Sequence, residues 1–584
     1  MRNCRILLSL GLILSSGGVW AQQDNVIDLL PQGVTLNVNA ERRTVKEKNI
    51  VVAGSALKGY KAYFAATDAD HGEELWFTDG TKAGTKMVAD ILPGSGSSAP
   101  SWLARLNDKV LFSAYTDDAG RQLWVSDGTP EGTKMLVQTY LVGDGNAQAI
   151  YQINETQAVF AAIDDESAEY DPDNGPQYWL WVTDGTVAGT HRIKQVKVDN
   201  PGKENTNQHS AFVRVGRKVF FKADDIDGHT GTELWVTDGT TAGTYLVKDI
   251  NTEPNTQKGA GYTRDSAIDG MENFNNHKLF FKAWTIESGN ELWASDGTEA
   301  GTYEVYNADP SVNPDNGIGN GPGVFGEGWE VYKGRIWFRG WTSSGGYELA
   351  GSNLEKGDYQ YFDYFTLNPS NANNSFPDPG CIFQNTYMFC GADGFDAAAV
   401  PAQHGGELLC FDGTKIWRQS EDFTPGTLCD WVKEPTVAGG SFYWMNEAND
   451  IAQGLGSGLY RLDDVTGKPV VVPTITTTGD NVNTLRNLAG TILYQCGANK
   501  RLYVDQYTKA NWDGVSDKGY LDPIFEGPTD PTGIETIGKG AETNTVNVYN
   551  LNGMLVRQNV NKATASKGLQ KGIYIINGEK YVVR

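Results

Sequence analysis

The stretch Glu233–Ile250, ELWVTDGTTAGTYLVKDI, returns in variant form nine times along the chain. The tryptophan of its ELW step falls at Trp76, Trp124, Trp181, Trp235 and Trp293. Looser copies follow at Glu348-Leu349-Ala350, Glu407-Leu408-Leu409, Gly458-Leu459-Tyr460 and Arg501-Leu502-Tyr503. Their spacing, roughly 43 to 59 residues, sits a little above the period of four-stranded propeller blades.

Working outward from the motif, copy two resolves into four short runs: Trp102–Leu106, Lys109–Tyr115, Gln122–Ser126 and Thr133–Val137. Each is rich in β-branched, aromatic or aliphatic residues and is bounded by turn formers, the punctuation of an antiparallel meander. The third run is apolar on both alternating faces, so it predicts a strand covered on both sides. Blades stacked around an axis supply that cover. The expectation is therefore an all-β, multi-bladed β-propeller of about eight blades over residues 46–520, followed by a small C-terminal β-sandwich. Residues 22–45 form an N-terminal segment that could contribute a ring-closing strand.

The motif Asp-Gly-Thr-x-x-Gly-Thr follows every strong copy. Asp79, Asp127, Asp184, Asp238 and Asp296 are expected to be structural: a carboxylate caps the turn, Gly takes a left-handed conformation, and the Thr hydroxyl closes a local bond. Turn residues repeated in every blade are spread around a ring and cannot converge on one substrate. The pattern resembles the ELWxxDGTxxGT repeat of secreted bacterial proteins, themselves expected to be propellers. The resemblance covers residues 50–515 and implies a fold and an exported location, with no agreed activity.

Residues 1–21 have the form of a signal peptide: Arg2 and Arg5, an apolar stretch Ile6–Leu14, and small residues at Val19 and Ala21. No later segment is long and apolar enough to predict a transmembrane span. The formal net charge is −24, more negative once the arginines of the leader are removed. Such a surface repels phosphate backbones and excludes nucleic acid as a natural partner. Five cysteines lie beyond the leader, at 381, 390, 410, 429 and 496, without zinc spacing. They are expected to be mostly reduced and buried, with Cys381–Cys390 the one candidate bridge.

Near the end, VYNLNGMLV (548–556) is a hairpin pattern turning at Asn552-Gly553. It is followed by LQKGIYIINGEKYVVR (569–584). Residues 533–584 resemble the type A C-terminal sorting domain of type IX secretion. Matching positions are Tyr549, Leu551, Gly553, Val556, Leu569, Gly572, Tyr574, Ile575, Lys580, Val582 and Val583. The resemblance implies passage across a Gram-negative outer membrane by the type IX machinery, then release or attachment at the cell surface. The match is short for the family, so its first strands are expected in 517–532 or are missing.

No protease, phosphate-loop or kinase signature is present. The loops between second and third strands carry acids, including Asp68, Asp70, Asp225 and Asp227. Alternating carboxylates near Gly are candidate calcium ligands, though none has the full spacing with a distal Glu; no other cofactor is expected. His71, His229 and His404 fall in the same loop of different copies and are expected to be solvated rather than zinc-bound. Trp284, Trp329, Trp337, Trp341 and Trp512 stand outside the repeated ELW position and are candidates for blade core or for sugar stacking.

The Asp-Gly-Thr loops keep one length and composition, whereas the second-to-third-strand loops and blade connections vary, as at Asp164–Gln177, Asn251–Gly261 and Asp309–Gly323. Variable loops on a rigid scaffold are where recognition usually sits. The expectation is a binding or scaffolding module for a glycan or protein, rather than an enzyme. The alternative is a carbohydrate-active enzyme, a glycosidase or lyase with a carboxylate pair in the propeller channel.

Overall fold

The computed structural model describes residues 26–37, 50–55, 59–141, 143–165, 177–199, 211–225, 228–307, 324–342, 346–362, 377–392, 406–419, 430–448, 458–472, 482–496, 500–510, 512, 545–550, 555–561, 567, 572–576 and 579–583. The chain divides into two units, Met1–Asp522 and Pro523–Arg584.

The first unit is a β-propeller. Blade 2 is built of Ser101–Leu106, Lys109–Thr116, Gly120–Ser126 and Lys134–Val137, paired antiparallel in chain order. Eight copies build such a meander, those of blades 3 and 4 joined in one eight-stranded sheet, and the ninth supplies three of its four strands, so the described residues form nine blades rather than eight. Their third strands are Gly72–Thr78, Gly120–Ser126, Trp179–Thr183, Glu233–Thr237, Gly289–Ser295, Gly346–Ser352, Gly406–Phe411, Gly458–Leu462 and Arg501–Asp505. The eroded late copies lose the spelling but keep the alternation of apolar residues, which is all that a strand between two layers requires.

The ELW step is explained by packing between blades. Leu and Trp are neighbours along a strand, so they point to opposite faces. Leu180 and Val182 of blade 3 share a core with Trp235 of blade 4. Leu234 and Val236 of blade 4 share the next with Trp293 of blade 5. Trp therefore faces the preceding blade and Leu the following one. Trp76 of blade 1 meets Leu493, Leu502 and Val504 of blade 9 in the same way, and the ring closes.

Closure is also made by hydrogen bonding. Val26–Asp28 pairs with Tyr503–Asp505 and serves as the outermost strand of blade 9. Thr35–Leu36 and Ile50–Ser55 then both lie along the inner edge of the second strand of blade 1. The N-terminal segment thus spans the joint between last and first blades.

The second unit, among the described residues, is one four-stranded antiparallel sheet in the order Leu555–Asn561, Thr545–Asn550, Gly572–Ile576, Glu579–Val583.

Candidate functional site

In a four-stranded meander, the third-to-fourth-strand loops open on one face of the ring. The second-to-third-strand loops and the blade connections open on the other. The two faces of this propeller are built for different purposes.

On the first face, the Asp-Gly-Thr turns are near copies of one another. Asp238 Oδ1 accepts from the Thr240 amide at 2.9 Å and from its hydroxyl at 2.7 Å. Thr240 Oγ1 accepts from the Gly243 amide at 3.0 Å, and the Thr244 hydroxyl donates to Thr240 O at 2.6 Å. The same bonds recur at Asp79, Asp127, Asp184 and Asp296. The first Gly needs its left-handed backbone, as at Gly239 with φ of 89°. The second Gly is required by contact: a Cβ at Gly243 would lie 2.0 Å from Asp238 Oδ1.

These turns are also stitched to the preceding blade. Lys218 Nζ of blade 4 donates to Asp296 O of blade 5 at 2.9 Å. Lys278 of blade 5 reaches Leu354 O and Glu355 of blade 6, and Lys333 of blade 6 donates to Asp412 O of blade 7. At the rim, Lys194 and Lys248 lie over Trp235 and Trp293 of the following blade, 5.5 and 5.8 Å from the ring centroids. Much of this face is occupied by contacts that hold blades together.

On the opposite face, the glutamate of the ELW step is the organising residue, and sequence reading passed over it. Glu74, Glu233, Glu291 and Glu348 are fully buried. Glu74 accepts from the amides of Ile91, Leu92 and Ser98, each at 3.2 Å, and from the Ser98 hydroxyl at 2.6 Å. Glu233 accepts from the Ile250 amide at 3.1 Å and from the Asn251 amide and the Ser266 hydroxyl. The carboxylates of Glu74 and Glu233 thereby pin the connections to the next blade. Burial pushes the Glu233 carboxyl up to about 8, against the lowering effect of these donors. Blade 2 carries Gln122 at this position, whose carbonyl accepts from the Thr139 amide at 3.0 Å. The available signal was an acid recurring mid-strand among apolar residues.

Of the calcium candidates, Asp68 is engaged within its own loop. It accepts from the amides of Asp70 and His71 and pairs with His71 Nδ1 at 3.0 Å. That hydrogen bond holds the His71 imidazole above its ordinary value. Asp70 is exposed. Asp225 Oδ1 accepts from the His229 amide at 2.8 Å, and the His229 ring stacks on Tyr262 at 4.9 Å. Asp227 and His404 lie outside the described residues. Among the described residues, no group of three or more His, Cys, Asp or Glu is placed to hold a metal ion.

The Cys381–Cys390 bridge is not formed. The strand register sets Cys381 opposite Met388 and Cys390 opposite Asp378 across a bulge, and Cys381, Cys390 and Cys410 are not in disulfides. Trp337 is core, its indole donating to Tyr332 O at 3.0 Å, and Trp284 is half-buried. The side chains of Trp329 and Trp341 lie outside the described residues. Of the sorting positions, Gly572, Tyr574 and Lys580 fall on paired strands, with Lys580 opposite Ile575; Gly553 lies outside the described residues. No helix among the described residues is long and apolar enough to cross a membrane.

No family model matches the chain, and no curated protein matches it. Solved structures similar to it include the β-propeller domain of the Trilobed protease from Pyrococcus furiosus. That match has 11% identity, covers 65% of this chain and 98% of that one, and has a TM-score of 0.29. Prolyl oligopeptidase B from Galerina marginata matches at 10% identity over 68% of this chain, with a TM-score of 0.35. Puromycin hydrolase matches at 12% over 72%, with a TM-score of 0.30. The chain spans 54% and 62% of the length of these last two. The likeness concerns the β-propeller fold and nothing finer.

Proposed function

We propose that this protein is an exported binding or scaffolding propeller that meets a glycan or protein partner on its variable-loop face. One observation carries the reading: the faces divide their labour. The Asp-Gly-Thr face is occupied by blade-to-blade stitches such as Lys218 to Asp296 O. On the other face, buried glutamates hold the roots of the connections, leaving their outer residues, among them the exposed Thr256–Gly261, free of repeat constraint. A rigid base with non-repeated loops is the arrangement recognition sites favour.

In the same proposal, residues 533–584 are a type IX sorting module and residues 1–21 an export leader, so the propeller works at the cell surface or outside it. The reading is tested by probing a glycan array and solubilised surface proteins with the mature chain. Asp225→Lys is expected to weaken any capture, and Lys82→Glu to leave it intact. The reverse outcome would move the binding face to the Asp-Gly-Thr side.

A further inference from the structure

The joint between blades 9 and 1 is fastened by chain that leaves the ring. At several joints a lysine near the start of a blade's second strand reaches the following blade's third-to-fourth-strand turn, as Lys218 does at Asp296 O and Lys278 at Leu354 O, and between blades 7 and 8 Gln384 Nε2 donates to Asp463 O. The second strand of blade 9 begins instead with Thr491, whose hydroxyl donates to Leu488 O of its own hairpin. The turn it should hold, Asp79-Gly80-Thr81, receives a different donor: Gln506 Nε2, 3.5 Å from Gly80 O.

Gln506 belongs to chain leaving the ring. Asp505 stands where Thr78 stands in blade 1, and its Oδ1 accepts from the Tyr507 amide at 3.0 Å, as the Thr78 hydroxyl oxygen accepts from the Gly80 amide at 3.0 Å. A turn therefore begins, but Val26–Asp28 already occupies the outer edge of blade 9. The chain runs on across the Asp-Gly-Thr face instead. The Tyr507 hydroxyl donates to Asp463 Oδ2 of blade 8 at 3.0 Å, and its ring lies under the Arg461 guanidinium at 3.4 Å. The Lys509 amide donates to Gly439 O at 2.8 Å and its ammonium to Asp463 O at 2.6 Å. The Trp512 indole then lies on the hairpins of blades 8 and 9. A Cβ at Gly490 would sit 2.0 Å from its Cη2, and one at Gly440 would sit 3.2 Å from its Cδ1.

We propose that Gln506–Ala510 together with Trp512 is a strap that holds the joint between blades 8, 9 and 1 shut, and that the ring opens there when the strap is peeled. The strap precedes the C-terminal unit in the chain, so tension on that unit loads Trp512 first, then Lys509 and Tyr507. The device is conformational: the strap covers the joint that the N-terminal strand closes by pairing with blade 9.

Hydrogen exchange on the full chain tests this. Trp512→Ala and Lys509→Ala are expected to speed exchange at Val26–Asp28, Ile50–Ser55 and Val482–Leu488 by about tenfold or more, a local opening. Asp269–Phe274 of blade 5 should not change, and Trp512→Phe should restore most protection. Tyr245→Phe, which removes a stitch between blades 4 and 5, should act at that joint alone. Unchanged exchange at the seam, or an equal rise in blade 5, would overturn the proposal.

Discussion

Within the repeated turn, two residues are complementary in a way their separate chemistry does not suggest. Asp238 needs a neighbour without a side chain, because a Cβ at Gly243 would overlap its carboxylate. Asp238→Ala loses two hydrogen bonds and is expected to cost about 1 kcal/mol. Gly243→Ala, with Asp238 present, is expected to cost about 2 kcal/mol or more. In the double variant the carboxylate is gone and the methyl is accommodated, so the costs should fall short of additive. Thermal unfolding of the three proteins measures the coupling; strict additivity would refute the contact. At Glu233 the titration is equally specific. Burial raises the carboxyl to about 8 from an ordinary 4.5. Between those values the native state keeps a proton that the unfolded chain has released. This contribution is therefore full below about 4.5 and is lost as pH rises toward 8. The raised carboxyls of Glu74, Asp224 and Asp249 act in the same direction. Glu233→Gln, which copies the residue of blade 2, should gain on the parent steadily from pH 5 to 8. A melting-temperature difference independent of pH would exclude that titration.

Strands and their joints make a second level. Blade 9 is assembled from both ends of the propeller, and Arg501 secures it. Its guanidinium pairs with both oxygens of Asp28 at 2.8 to 3.2 Å and donates to the carbonyls of Leu30, Pro31 and Val34. Asp28 remains about one-third exposed, so solvent screens part of the pair. Arg501→Ala is expected to cost about 1–3 kcal/mol, the range for hydrogen bonds to charged groups. The loss should expose residues 26–37 to limited proteolysis before any other strand. Release of another blade first would show that the N-terminal strand is held by packing alone.

For the molecule as a whole, the two units are expected to be separable. Deleting residues 533–584 should leave the propeller's far-ultraviolet spectrum and melting transition in place, because that segment falls in the second unit and the propeller's blades are built from the first. If the tail is a type IX sorting module, the truncated protein should accumulate in the periplasm. Normal delivery to the surface would sink that assignment. The described surface is strongly acidic in places, with Asp199, Asp224, Asp225, Asp249 and Asp265 all on the connection side of blades 3 to 5. Capture of a partner there should depend on ionic strength.

The sequence alone determined the all-β class, the repeat unit and the limits of its strands. The runs read for blade 2 agree with the observed strands to within two residues. Those features depend on local alternation and turn chemistry, which the chain carries residue by residue. Tertiary structure decided the rest. A ring-closing strand was expected from residues 22–45, but its place on the outer edge of a ninth blade was settled only by the pairing of Val26–Asp28 with Tyr503–Asp505. The glutamate of ELW acquired its purpose only when the next connection folded over it and water was excluded. The second glycine of the turn was explained only by the carboxylate packed against it, and the two cysteines stayed apart because a bulge set their register. Each depends on contacts between residues whose positions are settled by the closed ring, not by their neighbours in sequence.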